Sequence, residues 1–315
     1  MSATGAGDVR RRRGPARAWQ WWRSVLEVRR RYVEVFGRPP RLLLPRRHSE
    51  RIVRRKLFGR DPRLPVLADK IEVKAFVAGR VGPRYVVPTI WSGDALPSRR
   101  EMKTWPRPFV LKGSHGSGWT IMVPAEGPVR WASIERRTRR WLDKTYAERH
   151  GEWLYSRIPP RLLVEPHLGD PSGRPDDYKL WVFHGRVHYV NWIRGRGSAA
   201  YGGRLLDRDW NEAFVNCSMP VHPELPPRPE SLDTMIWMAE RLGQDFDFVR
   251  VDLYEVDGRP LVGELTFYPM SGYLPLEPAD ADLELGRLWR RPRTPRFPPT
   301  PAPASSVGAR LSSVP

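Results

Sequence analysis

Residues 248 to 273 read FVRVDLYEVDGRPLVGELTFYPMSGY, and this stretch limits the fold more tightly than any other. Two apolar runs of strand length flank an Asp-Gly pair, the strongest short-range signal for a two-residue hairpin turn. Side chains alternate along a strand, so Arg250, Asp252 and Tyr254 share one face, and Glu264 and Thr266 share a face of the returning strand. Two neighbouring antiparallel strands are thus expected to present Asp252 and Glu264 together. Their apolar neighbours imply half-burial, and two half-buried carboxylates need compensating charge. Arg250 alone could supply it. Magnesium is the better match, because it takes one or two carboxylates and completes its shell with water and phosphate oxygens.

The same grammar runs through the middle of the chain. YVVPTIW, FVLK, WTIMV, RLLVEPHL and YKLWVFHGRVHYVNWI read as strands, with His184-Gly185 as a second turn. VRWASIERRTRRWLDKTYAERH and SLDTMIWMAERLGQD read as helices, the second with Ser231 as N-cap and Gly243 as its stop. The class is α+β with mainly antiparallel hairpins, which excludes the parallel crossovers of a Rossmann domain. A single cysteine, Cys217, excludes a disulfide framework within the chain, and no Cys/His spacing suggests zinc. With one cysteine a reducing cytoplasm is the simplest compartment; no apolar run reaches the roughly 18 to 20 residues of a membrane span and no signal-peptide core is present, so a soluble or surface-bound protein is expected.

Residues 109 to 123, FVLKGSHGSGWTIMV, place a lysine before a glycine-rich loop. A P-loop would carry its lysine after the glycines and run into a helix. Here WTIMV alternates like a strand, so the loop joins two strands and is either a plain turn or a flap whose backbone N–H groups meet phosphate. Lys112, with Gly113, Ser114, His115, Gly116, Ser117 and Gly118, is then the candidate phosphate cradle. A protein kinase would need HRDxxxxN and DFG further on, and neither occurs.

Taken in order, Lys70 in LADKIEVK, Lys112 before GSHGSGW, Glu165 in LLVEPHL, Asp177 in DDYK, RVD at 250 to 252 and GELT at 263 to 266 resemble the ATP-grasp superfamily. The chain is most similar to its TupA-like branch, associated with teichuronopeptide and capsular polysaccharide synthesis, over about residues 57 to 275. The resemblance implies two α+β subdomains with mainly antiparallel sheets clamping ATP. It gives Lys70 to the α-phosphate, Lys112 to the flap phosphates, Glu165 to the adenine amino group and Asp177, with Asp176 as competitor, to the ribose hydroxyls. It gives Asp252, Glu264 and Thr266 to Mg2+, although many relatives carry Asn where Thr266 stands. Arg250 takes the arginine that steadies the developing oxyanion, helped by backbone N–H groups around Ser271 and Gly272. The implied activity is an ATP-dependent carboxylate-amine ligase that forms an acyl phosphate and then an amide. Its partners would be an amino acid or peptide and an acidic cell-envelope glycan, the latter met by Arg194, Arg196, Arg204 and Arg208 in a glycine-rich loop. A kinase-like phosphotransferase acting on a hydroxyl, or a basic nucleic-acid or membrane-binding protein with a degenerate ATP site, are the alternatives.

Charge is uneven: residues 1 to 60 hold 18 Lys and Arg against four acids, most of the formal excess of +19. Residues 1 to 17 have a disordered composition, and WQWWRSVLEVRRRYVEVF reads as an amphipathic helix with Trp19, Trp22, Leu26, Val33 and Phe36 on its apolar face. That face suits packing onto the main domain, or an anionic surface on the inner side of a membrane; nucleic acid is not the expected partner. The expected layout is a basic segment over 1–56, an ATP-grasp domain over 57–285 divided near 164, and a Pro-rich tail over 286–315.

Overall fold

Alternating side chains build two antiparallel sheets in the computed structural model, which describes residues 15–144, 146, 151–169 and 175–290. The smaller sheet takes β1 (Trp91–Gly93), β2 (Phe109–Gly113), β3 (Thr120–Val123) and β4 (Leu162–Pro166) in the order β1-β4-β2-β3. The larger takes β5 (Asp177–Phe183), β6 (Arg186–Arg194) and β7 (Gly202–Asp207). After a short β8 (Val215–Asn216) it adds β9 (Phe248–Val256) and β10 (Arg259–Thr266), in the order β10-β9-β5-β6-β7. β8 pairs instead with β11 (Leu276–Glu277). Both Asp257-Gly258 and His184-Gly185 have positive φ at each residue, as the tight primed turns between right-twisted strands require.

The helices are α1 (Pro15–Phe36), α2 (His48–Phe58), α3 (Arg63–Ala68), α4 (Val73–Val81), α5 (Arg99–Met102), α6 (Trp131–Leu142), α7 (Leu232–Gly243) and α8 (Ala281–Leu288). α6 buries Ile134, Thr138 and Trp141, one helical face, against Phe109, Leu111, Ile121 and Val164 of the small sheet. α7 covers one face of the large sheet, and a Cβ on Gly243 would stand 2.5 Å from Val182 Cγ1, so the glycine permits close helix-to-sheet contact. With those faces covered, the opposite face of each sheet is left for a site.

Several expectations from sequence are corrected. YVVPTIW is a strand only from Trp91 onward, since Pro88 has no N–H to pair and Pro83–Tyr85 is a 3-10 turn. Ser231 occupies the N-cap of α7 as expected, but its hydroxyl donates to Glu255 and accepts from no N–H of the helix. Gly202–Asp207, read as loop, is the edge strand β7. The packed chain continues beyond Gly286, the expected start of the tail: α8 runs to Leu288, and Trp289 is buried. On α1 the buried side is Val28 and Tyr32 with Val25 and Phe36, while Trp22, Leu26 and Val33 of the expected apolar face are exposed. Residues 1–14 of the disordered start, 145 and 147–150 of the expected long helix, and 291–315 of the tail lie outside the described residues.

Candidate active site

Between the uncovered faces runs a cleft of about 740 Å³. Val110, Lys112, Thr120, Met122 and Glu165 line it from the small sheet; Asp177, Lys179, Asn191, Arg250, Asp252, Glu264 and Thr266 line it from the large one. Lys70, Ser117, Gly118, Arg196 and Ser271 complete the expected residues that reach it, whereas Gly113, Ser114, His115, Gly116, Arg194 and Gly272 do not line it.

On the large sheet, register stacks Lys179, Asp252 and Glu264 across β5, β9 and β10, with Trp181, Arg250 and Thr266 in the next row. Plain pairing from the Asp257-Gly258 turn would set Asp252 against Gly263 and turn Glu264 to the other face. A bulge between Val262 and Glu264 shifts the register by one residue and brings Glu264 opposite Asp252. Gly263 is required at that bulge because a Cβ would lie 2.7 Å from the Tyr254 ring. Arg250 forks onto Asp252, Nε to Oδ1 and Nη2 to Oδ2, both at 2.6 Å, and Lys179 Nζ donates to Oδ2 at 2.6 Å. Burial raises the Asp252 pKa, but Arg250 and Lys179 overcome it and hold the carboxyl down at about 2. Thr266 Oγ1 receives Arg250 Nη2 at 3.1 Å and lies 3.4 Å from Glu264 Oε1.

On the small sheet, Glu165 is buried and grips two lysines at 2.6 Å each, Lys74 at Oε1 and Lys112 at Oε2. Burial pushes its pKa up, yet the two ammonium groups outweigh that and leave it lowered. Its carboxylate therefore fixes Lys112 on the wall of the cleft that the resemblance gives to the nucleotide. Lys70, in the turn between α3 and α4, ties the walls together: Nζ donates to Gly116 O at 2.7 Å and stands 3.6 Å from Glu264 Oε2.

The glycine loop is a hairpin connection, with Gly118 at φ +75°. Trp119 lies over Gly113 and Gly116, where a Cβ would come within 2.9 Å of its ring. His115 is buried, with Nε2 3.0 Å from Trp141 O and its ring edge-on to Trp119, and burial lowers its pKa. The imidazole therefore anchors the loop to α6 and does not line the cleft. Ser114 is buried too, its N–H donating to Arg161 O at 2.8 Å, so Ser117 and Gly118 form the part of the loop that faces the cleft.

The four loop arginines do not converge. Arg196 pairs with Asp177 inside the cleft, but Arg194 pairs with Asp176 at 2.8 Å, Arg204 with Glu212 and Arg208 with Glu240. Asp176 is further committed to Trp192 Nε1 at 2.9 Å, which leaves Asp177 as the cleft-facing member of the pair.

Sequence reasoning missed Lys74, Lys179, Lys56 and Glu152. The i, i+4 spacing from Lys70 and the i, i+2 spacing from Asp177 were usable signals for the first two. Lys56, buried on α2, donates to Ser271 O at 3.0 Å and Ser271 Oγ at 2.9 Å. Met270, Ser271 and Gly272 all have positive φ, and a Cβ on Gly272 would meet Ile52 and Val53 of α2 at 3.0 Å. Buried Glu152 lines the cleft beside this turn, and burial raises its pKa as it lowers that of Lys56. Arg31 of α1 reaches the same end.

Two antiparallel sheets facing across a cleft, one wall bearing lysines tied to a glycine-rich hairpin and the other bearing paired carboxylates, define an ATP-grasp fold. The TupA-like ATPgrasp family matches residues 50–290, and the chain belongs to that family. No curated protein matches it. Among solved structures it is similar to the ATP-grasp ligase PsnB complexed with minimal precursor, at 15% identity and TM-score 0.40 over 76% of this chain and 69% of that one. It is also similar to D-alanine–D-alanine ligase from Bacillus anthracis, at 14% identity and TM-score 0.38 over 64% of this chain and 57% of that one. For VanG D-Ala:D-Ser ligase from Enterococcus faecalis the values are 12%, 0.43, 71% and 60%. The chain thus spans less than two thirds of the length of both D-alanine ligases.

Proposed function

We propose that the protein is an ATP- and Mg2+-dependent carboxylate-amine ligase, joining an amino acid or peptide to an acidic cell-surface glycan or its precursor. The carrying observation is the row Lys179, Asp252, Glu264 with Arg250 beside it, facing Lys112 and tied to the flap by Lys70. ATP would lie between the walls, with Lys112, Lys70 and the Ser117-Gly118 backbone toward its phosphates and Asp177 toward its ribose. Among the described residues no group of three or more His, Cys, Asp and Glu is gathered to hold a metal. Two adjacent carboxylates on one face nevertheless suit Mg2+, which draws its other ligands from phosphate and water. When bound, Mg2+ would supply charge neutralisation between the terminal phosphates.

The chain's own residues supply alignment and charge. A substrate carboxylate oxygen attacks the γ-phosphorus as its bond to ADP breaks, giving an acyl phosphate. An amine nitrogen then attacks the acyl carbon, phosphate leaves, and the nitrogen gives up a proton. Arg250, held rigid by Asp252, is aimed at the oxyanion that develops, and positive groups fixed beforehand need no reorganisation during the step. The proposed flap and metal-binding subdomains, about 57–164 and 165–285, would be centred on the small and large sheets, although β4 of the small sheet runs on to Pro166. No helix among the described residues is long and apolar enough to cross a membrane. A place against the cytoplasmic face of a membrane would use exposed Trp22 and Leu26 beside Arg29 of α1, with Arg30 taken up by Glu27 and Glu34.

The test is an ADP-release screen of amino acids against uronic-acid acceptors, with mass analysis of products. Amide formation that needs ATP and both partners, and that disappears in Asp252→Asn, is the expected result. Phosphorylated hydroxyl products, or an Asp252→Asn variant as active as the parent, would sink this reading.

A further inference from the structure

Arg51, Arg54, Arg55 and Phe58 follow one another at helical spacing along one side of α2, while Ile52, Val53, Lys56 and Leu57 are buried. With Arg290 after α8, these arginines line a depression of about 820 Å³ that shares no lining residue with the cleft. It contains three acids, each already facing a cation. Asp61 takes Arg63 at 2.6 Å, Asp245 takes Arg80 at 2.5 Å, and Asp247 takes Arg55 and Trp289 Nε1. Among the described residues, Arg51, Arg54 and Arg290 form no ion pair, and Arg51 Nε is buried without a hydrogen-bond partner. Burial first, then the nearby Arg290 and more weakly Arg54, pull the Arg51 pKa below its usual value against the opposing Asp247.

Guanidinium groups gathered with a desolvated, unsatisfied donor weaken a fold unless an anion joins them. We infer that this depression is an oxyanion site, separate from the cleft, that takes a phosphate group on Arg51, Arg54 and Arg290. The planar fork of arginine matches phosphate oxygens two at a time, and Arg55, fixed under the site by Asp247 and Phe248 O, cannot swing away. The volume exceeds that of one phosphate, so the group can arrive on a larger carrier, either a soluble phosphate compound or a lipid headgroup. None of this depends on the ligase reading.

The probe is inorganic pyrophosphate in magnesium-free buffer of low ionic strength, read by thermal unfolding of the full chain. At a hundredfold excess over Kd, the parent and a Lys112→Ala control should both gain about 5 °C. An Arg51→Ala/Arg54→Ala variant should gain nothing, and without pyrophosphate it should melt at or above the parent, because repulsion has been relieved. No gain in the parent, a full gain in the double variant, loss of the gain in Lys112→Ala, or a double variant that melts well below the parent each overturns the inference. Flotation with phosphatidylcholine vesicles, with and without phosphatidylglycerol, separates the sources. Binding lost in the double variant assigns a headgroup, and binding retained while the pyrophosphate gain is lost assigns a soluble phosphate.

Discussion

Replacing Asp252 by Asn tests whether the cleft is held by the charges that surround it. The carboxylate is 3% exposed and receives three hydrogen bonds of 2.6 Å from Arg250 and Lys179. Lowering a carboxyl from its ordinary 3.8 to about 2 is worth about 2.5 kcal/mol of stability at neutral pH. Because the folded pKa is the depressed one, that stability is present above the unfolded value and is lost as pH falls through about 2. Asparagine removes it and leaves two buried cations short of an anion. Glu264, 4.0 Å from Arg250, and Asp177, 3.9 Å from Lys179, take up part of the deficit. The cost is therefore about 2 to 4 kcal/mol, at or below that of breaking a fully buried pair. Urea unfolding followed by tryptophan fluorescence at pH 7 should show a lower midpoint with an unchanged slope. The gap between parent and variant should narrow by about 1 kcal/mol at pH 3, where the unfolded carboxyl is mostly protonated. A gap under about 0.5 kcal/mol at pH 7, or one that widens on acidification, would refute the argument.

Three further substitutions probe separate parts of the molecule. His48, buried among Trp181, Phe248 and Trp289, has its pKa pushed down to about 3 by burial and then by Arg55 and Arg51, so it stays neutral when folded and takes a proton only when unfolded. Stability of the parent should fall by about 2 kcal/mol between pH 7 and 5 from this group, and His48→Phe should lack that component; equal pH profiles by denaturant titration would count against it. Gly286→Ala would put a Cβ 2.0 Å from Arg46 O, a backbone atom, and should cost about 2 to 3 kcal/mol; an unchanged melting temperature would contradict the packing of α8 on that segment. Lys70→Met cuts the tether between Gly116 O and Glu264, and should weaken nucleotide binding about tenfold, measured by calorimetry, while leaving the fold intact. Unaltered affinity would mean that the flap does not need the tether.

What could be read from sequence was whatever period two and a turn dictate. Lys112 before a hairpin, and Arg250 with Asp252 on one face, follow from alternation alone. Glu264 was placed beside Asp252 for an incomplete reason: strict counting from the turn puts it on the other face, and only the bulge at Gly263, where the Tyr254 ring leaves no room for a Cβ, brings it round. The use of Glu165 to grip Lys74 and Lys112 depends on a helix that meets β4 from far along the chain, and no local pattern encodes that. The scattering of the four loop arginines has the same origin, since their partners Asp176, Asp177, Glu212 and Glu240 are chosen by sheet register and by α7.

The first sixty residues show the largest gap between composition and structure. Their 18 basic residues and amphipathic helix suggested a segment that packs onto the main domain or meets an anionic surface. The folded chain gives those charges different tasks on different sides of two helices. Lys56 holds the left-handed turn at Ser271 from beneath, Arg31 reaches the cleft rim, and Arg51 and Arg54 face the second depression. Gly272 packs directly on Ile52 and Val53, so the turn cannot keep its shape if α2 leaves. Positive φ at Met270 and Ser271, which both carry side chains, is costly unless the surroundings impose it. In this protein α2 imposes it from behind the cleft, through Lys56 on Ser271 and Ile52 and Val53 on Gly272, so the basic segment supports the site rather than being an appendage to it.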